Sequence, residues 1–367
     1  MIKRLKSFFY SYLNPKIRLL NDIKNLKIYV ANVGSLGEND FSGLFWSKVS
    51  QYCYFFRFDP NNNKKLETDN YIIFPYGLWS EEITKEIFLT RFSDASSLFE
   101  PNQNQLSRFI NYTCHEVINK KKINLKTLDK IIDGENFSYC DFIKIDAEGS
   151  ELNILNGGKN NLDNAIGLEL EINFSQKNIN SPHAAEMLNF CRNNHFDLYT
   201  LNRESWRKNK IKNIVSNYQL IWSDAIFFKT ESRLSEKLKV MDKDKRKVTI
   251  IKLILLLLNY RLHDTVDFYL DFFKKKNLID DDELKFFQSI VIKNTEKNFI
   301  IILKTFLLFI IIVLFLPFSY ISFSKKLINL TISFLRILFI RLLTLILNLF
   351  RYSGPNKVAI SDNLKTL

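Results

Sequence analysis

The sequence predicts an α/β protein: an open, doubly wound, mainly parallel sheet, followed by a helical appendage and by apolar stretches of membrane-crossing length. Three observations lead there. Between about Leu26 and Thr230, short apolar runs alternate with amphipathic ones, the pattern of strands joined by crossover helices. Glycines and polar clusters stand where one kind of run gives way to the other. Beyond residue 300 comes a long uncharged run, which a soluble α/β domain does not need.

The elements follow in order. Residues 1–25 are basic and aromatic, with neither the long apolar core nor the small-residue cleavage site of a signal peptide. They read as a helical segment that covers the domain or brushes a membrane. LKIYVAN is the first strand, SGLFWSKVSQ a helix and YCYFFRF the second strand, closed by Asp59-Pro60 and an asparagine run. YIIFP, EIFLT and DFIKID are further strands. ELNILNGGKNNL is a helix stopped by Gly157 and Gly158. AIGLELEINF is a strand, PHAAEMLNFCRNN a helix, and FDLYTLN and SDAIFFK the last two strands. Residues 26–230 thus form the main domain. Residues 231–300 begin with a charged connector, LSEKLKVMDKDKRK, and continue as a small helical appendage.

Residues 301–352 are read as membrane segments, and 353–367 as a polar tail. Thr305 to Phe323 carries no charge and contains Pro317, which a membrane helix tolerates. The next apolar stretch contains Arg336 and Arg341. Each central arginine costs about 2.5–3.5 kcal/mol against roughly 0.3–0.6 returned by each Leu, Ile or Phe. That stretch either spans as the second arm of a hairpin or lies in the interface with its arginines at the head groups. Lys293, Lys297 and Lys304 ahead of the first segment are consistent with the preceding domain facing the cytoplasm.

Composition narrows the function classes. With 46% hydrophobic residues and 33 Phe the chain has ample material for a core, which excludes wholesale disorder. The net charge of +13 fits lysine-rich solvated faces or an anionic membrane surface. No basic run is interleaved with aromatics, so a nucleic-acid partner is not expected. The four cysteines are far apart and form no CxxC pair, which suits reduced, buried thiols. Cys191 and His195 lack the paired spacing of a zinc site, and no metal is expected.

Four stretches carry chemistry. In YVANVGSLG a strand runs into Asn32-Val-Gly34-Ser35-Leu-Gly37 and then a helix, a turn that lets a ligand approach bare backbone. It matches neither a dinucleotide fingerprint nor a P-loop. Asp59 ends the second strand, where an acid in a doubly wound fold accepts hydrogen bonds from a ribose diol; a simple turn acid before Pro60 is the other reading. In DFIKIDAEGSE, Phe142, Lys144 and Asp146 share one strand face, and Glu169 and Glu171 share a face of the next strand. Charges inside a central strand are costly unless paired. They make either a buried ion-pair network or a polar cleft of coupled groups. SDASSLFEPN is a polar loop between strands.

Together these stretches resemble the FkbM-type family of S-adenosylmethionine-dependent methyltransferases. The resemblance rests on Asn32-Val-Gly-Ser, Phe58-Asp59-Pro60, Ser96-Ser97-Leu98, Thr127-Leu128-Asp129 and, above all, Lys144-Ile-Asp146-Ala-Glu148-Gly149-Ser-Glu151. LWSEE at Leu78 and WSDAIFFK at Trp222 add to it, so it covers roughly Leu26 to Lys229. One position departs from the pattern: the first strand ends in Asn32 where the family has an acid.

The resemblance implies a Rossmann-like methyltransferase sheet and S-adenosyl-L-methionine as cofactor. It implies that Asn32, Gly34, Ser35 and Gly37 line the methionine and ribose part, and that Asp59 takes the ribose hydroxyls. Asp146 would stand beside the methyl group and the acceptor, with Lys144, Glu148 and Glu169 as its partners. The base is open among Asp146, Glu148 and Glu169, with His115 and His183 as alternatives. With the membrane segments, the expected function is a membrane-tethered O-methyltransferase acting from the cytoplasmic side on a hydroxyl of a glycan or of a small or lipid-linked acceptor. A catalytically inactive scaffold of the same fold is the alternative. A nucleotide-sugar transferase ranks last, for want of a DxD-like pair.

Overall fold

The computed structural model describes residues 26–34, 49–60, 64–110, 112–135, 137–208 and 218–294. Residues 19–288 group into one compact unit, and its described part is the subject below. The strands are β1 (Ile28–Val33), β2 (Cys53–Phe58), β3 (Leu66–Glu67), β4 (Tyr71–Phe74), β5 (Gly77–Leu78), β6 (Ile83–Thr90), β7 (Val117–Lys126), β8 (Phe142–Ile145), β9 (Gly167–Asn173), β10 (Phe196–Trp206) and β11 (Gln219–Lys229). The helices are α1 (Gln103–Leu106), α2 (Leu128–Gly134), α3 (Glu151–Asn156), α4 (Lys159–Asn164), α5 (Ala184–Asn193), α6 (Glu231–Lys239), α7 (Lys243–Asn259), α8 (His263–Lys275) and α9 (Asp281–Asn294).

Eight strands form one sheet in the order β10-β11-β9-β8-β1-β2-β4-β3. The pairs β1–β2, β1–β8, β2–β4 and β8–β9 are parallel, while β11 runs antiparallel to both β9 and β10. The result is a mixed α/β fold with a large, mostly parallel central sheet, consistent with a Rossmann-like methyltransferase. The strand order reverses between β1 and β8, and a doubly wound sheet opens its ligand crevice at such a switch, beyond the carboxyl ends of the strands.

The two faces of the sheet differ in kind. Ala31, Val33, Phe56, Phe58, Ile143, Ile145, Leu168, Leu170, Ile172, Ala225 and Phe227 point to one side and join the main apolar cluster with residues of α2 to α5. Strand alternation sends their neighbours to the other side. There Asn32, Arg57, Lys144 and Glu169 stand in one register row across β1, β2, β8 and β9.

Of the helices after Thr230, α7 and α8, with the loop between them, cover this second face. Lys252 of α7 pairs with the buried Asp141 just before β8, at 2.8 and 2.9 Å. The Tyr260 ring stacks on Phe142 with centroids 5.8 Å apart, and the Tyr269 hydroxyl donates to the Lys229 carbonyl at 2.6 Å. Within α7, every residue from Leu253 to Leu258 is buried. Such all-round apolarity is what a helix between a sheet and further helices requires.

Several expectations are corrected. The charged connector after Thr230 is helical: Thr230 and Asp242 cap α6 and α7, their side chains accepting from Arg233 N and Lys245 N. The helix over ELNILN stops at Gly157 as expected, but the residues after Gly158 form a further helix, α4; a Cβ on Gly157 would lie 2.1 Å from the Trp79 carbonyl oxygen. A second sheet, β5-β7-β6, adds to the single sheet expected. Its strand β7 carries three successive lysines that mask the alternation of Ile123 and Leu125, the two residues it buries. No helix among the described residues is long and apolar enough to cross a membrane. The segments expected to do so, in 301–352, lie outside the described residues, as do residues 1–25 and most of the helix expected over SGLFWSKVSQ.

Candidate active site

The crevice is built at the switch point from the ends of β1 and β8. Asp146 N donates to the Val33 carbonyl at 3.1 Å, which carries the β1–β8 pairing one step past the strands. Gly34 follows with φ +87°, and a Cβ there would sit 1.7 Å from the Asp146 carbonyl oxygen. Only glycine meets both conditions. Ser35 and Gly37, expected to line the same turn, lie outside the described residues.

After β8 the chain turns sharply through Glu148 (φ 50°) and Gly149 (φ 104°). Glu151 holds that turn: its Oε1 accepts from Ala147 N at 2.9 Å and Gly149 N at 3.2 Å. The Glu148 carbonyl accepts from Ser97 Oγ at 2.7 Å and Asn178 Nδ2 at 2.8 Å. The Ser-Ser-Leu loop thus fastens the acidic loop, and the segment Ser175–Ser181 backs both, with Asn102 N donating to the Lys177 carbonyl.

Three carboxylates converge here. Ligand oxygens of Asp146, Glu148 and Glu171 all lie within 4.8 Å of one another. Lys177, 2% exposed, reaches in and donates to Glu148 Oε2 and Glu171 Oε1, each at 2.8 Å. Beside them Lys144 Nζ donates to Glu169 Oε1 at 3.0 Å, and the Tyr260 hydroxyl donates to Glu169 Oε2 at 2.5 Å. Asp224, on β11 opposite Glu171, accepts from Asn202 Nδ2 at 3.2 Å.

The crowding shifts proton affinities in ways that follow from burial and sign. Burial, then Glu171 and Glu148, push Asp146 well above the ordinary carboxylate range. Burial and Glu171 raise Glu148 to about 7, against the pull of Lys177. Burial and Glu171 likewise raise Glu151 to about 8, and burial and Glu169 raise Asp224 to about 6. Burial works against charge on Lys144 and Lys177, but the carboxylates beside each outweigh it and hold both above the usual lysine value. His115, buried against Trp206, is lowered to about 4 by burial and by Lys177.

Asp146, Asn32 and Asn173 each present an oxygen with no donor among the described residues. Neither oxygen of Asp146 accepts a hydrogen bond from a described residue, and the residue is half-buried at the crevice. Asn32, 5% exposed, has no donor for its Oδ1. Asn173, 2% exposed, is in the same state at the end of β9. Asp59 stands half-buried past the end of β2, its N–H on the Phe74 carbonyl.

The structure therefore brings together Lys144, Asp146, Glu148 and Glu169 of the expected residues, with Asn32 and Gly34 on the adjoining strand. His183 does not join them. It caps α5, with Glu186 reaching back to its N–H at 2.7 Å. Lys177, Asn173 and Tyr260 had no sequence signal for a site, and Asp224 had only its place in the WSDAIFFK stretch. Lys177 and Tyr260 sit in loops without a motif, and only the sheet's register sets Asp224 against Glu171.

The comparisons with known proteins agree with this picture. Residues 29–198 match the family model of the Methyltransferase FkbM domain. No curated protein and no solved structure matches the chain.

Proposed function

We propose that this chain, a methyltransferase carrying the FkbM domain in residues 29–198, uses S-adenosylmethionine to methylate a hydroxyl of a glycan or of a small or lipid-linked acceptor. The observation that carries the reading is the unengaged Asp146 carboxylate beside bare Gly34 backbone at the sheet's switch point. A cationic ligand and an acceptor hydroxyl both have reason to settle there.

The residues present fit the cofactor. Asn32 and Gly34 would meet its amino-acid end, where a buried amide oxygen without a donor suits an ammonium. Asp59 would take the ribose hydroxyls. When bound, the cofactor supplies an activated methyl group. Asp146 would stand beside the acceptor oxygen and take its proton. Lys144 and Glu169, locked as a pair, would hold the floor of the crevice still. Glu148 would fix the loop through Lys177.

Calorimetry on the full chain tests the reading. Binding of S-adenosylmethionine is expected, weakened about tenfold or more in Asp59→Ala, the loss of a charge-assisted hydrogen bond. No binding at millimolar cofactor would sink it. Glycan mass spectrometry with and without the gene would then identify the methylated acceptor.

A second reading is favoured by Asn32, which lacks the charge of the family's acid: an inactive methyltransferase fold serving as a scaffold. Cofactor binding without turnover on any acceptor would support it. In either case a membrane tether from Thr305 onward, with the domain on the cytoplasmic side, agrees with the apolar sequence there. A chain ending before Thr305 should leave the membrane fraction.

A further inference from the structure

Three carboxyl groups crowd the crevice, and the one ammonium hydrogen-bonded to them, Lys177, reaches only two. Of their oxygens, Lys177 engages only Glu148 Oε2 and Glu171 Oε1. Glu148 Oε1, Glu171 Oε2 and both oxygens of Asp146 accept no hydrogen bond from a described residue, and one carboxylate oxygen of each of the three residues lies within 4.8 Å of the others. In an oxygen shell, ligands on opposite sides of an ion are about 4.1 Å apart for Mg²⁺ and about 4.8 Å apart for Ca²⁺, twice the metal–oxygen distance.

A second, independent feature points the same way. Asn173 lies two residues beyond Glu171 on β9, so strand alternation puts its side chain on the same face. Its Nδ2 is 3.3 Å from Glu171 Oε1, while its Oδ1 is buried with no donor, although the residue is 2% exposed. A buried carbonyl oxygen left this way is costly unless something completes it. The lysine at the cluster already uses its reach on the two glutamates, and among the described residues nothing donates to this oxygen, which a cation at the cluster would complete.

We propose that Asp146, Glu148, Glu171 and Asn173 form a binding site for one hard divalent cation of the Mg²⁺, Mn²⁺ or Ca²⁺ class. All four ligands are oxygens, which these ions prefer and which soft metals do not. Two positive charges neutralise what Lys177 leaves, and Asp146 keeps the ion at the open side of the crevice. An ion so held would lower the pKa of an acceptor hydroxyl bound to it. That consequence rests on the methyl-transfer reading; the ion site itself does not.

Mn²⁺ is the probe, since its electron paramagnetic resonance signal separates free from bound ion. The full chain, free of cofactor, is titrated with Mn²⁺ alone. One ion is expected to bind with sub-millimolar affinity, competed by Mg²⁺ or Ca²⁺. Asp146→Asn and Asn173→Ala should each weaken it roughly tenfold or more, the first by losing a ligand charge and the second by losing a ligand oxygen. Thermal unfolding without metal checks that both variants fold; Asp146→Asn removes no hydrogen bond, so it serves if Asn173→Ala does not. Absence of binding at millimolar Mn²⁺, or equal affinity in wild type and the folded variants, overturns the proposal. Because no cofactor is present, that failure leaves the methyltransferase reading untouched.

Discussion

Tyr260 and Glu169 meet across 91 residues of chain: the phenol of the loop after α7 donates to Glu169 Oε2 at 2.5 Å, while Lys144 takes Oε1. The glutamate's carboxylate is thereby clamped between a residue of the matched family region and one that lies beyond it. Removing the phenol oxygen in Tyr260→Phe leaves a buried carboxylate oxygen short of a donor. The expected cost is about 1–3 kcal/mol, read as a lower urea midpoint with an unchanged slope.

The same packing makes the helices after Thr230 part of the core layer. A chain stopped at residue 230 would expose the polar sheet face and strip Asp141 of Lys252. Breaking one side of a buried pair costs roughly 3–5 kcal/mol by itself. Such a fragment is expected to be insoluble or molten. A sharp, cooperative melt by circular dichroism from residues 1–230 alone would refute this.

Gly34→Ala forces a Cβ against the Asp146 carbonyl at a positive φ. The two strand ends must separate, which disturbs the crevice before anything binds. Loss of cofactor binding by at least tenfold is expected, together with a lower melting temperature. A Gly34→Ala variant that binds as wild type does would exclude close backbone approach at this turn.

Asn32→Asp restores an acid between its register neighbours Arg57 and Lys144. The new carboxylate would face a cationic ligand with a full charge in place of an amide dipole. Calorimetry should record tighter S-adenosylmethionine binding by several-fold. Unchanged or weaker binding would place the ligand's cationic end elsewhere.

His115 makes stability sensitive to acid. Its folded-state pKa, about 4, lies below the ordinary 6.5 because burial and Lys177 oppose the charged form. The unfolded chain therefore takes up the proton first as pH falls. The stability contribution is full above about 6.5, declines between 6.5 and about 4, and is flat below. The total is on the order of 3 kcal/mol. In His115→Gln this component of the decline disappears, so the difference in unfolding free energy between wild type and variant should change across that window and nowhere else.

How far the site was legible in the sequence depends on what each residue answers to. Asn32, Gly34, Lys144 and Asp146 fall at strand ends, and strand ends are marked by apolar alternation and by glycine, both local signals. The pairing of Lys144 with Glu169 was also readable, since adjacent parallel strands with charges on matching faces leave few other partners. Lys177 was not. It lies after β9 in a polar loop, and only its return beneath Glu148 and Glu171 reveals it.

Most strands of the main sheet, from β1 and β2 through β8 to β11, and the acidic turn after β8 were therefore determined by the sequence itself, because period, turn chemistry and one long motif are local properties of the chain. The tertiary structure alone decided that α7 and α8 close the second sheet face, that Tyr260 and Lys252 serve that face, and that Asn173 Oδ1 has no donor among the described residues. These depend on which surfaces are brought together across many residues, and burial, not sequence spacing, sets whether a charge or an amide there is satisfied.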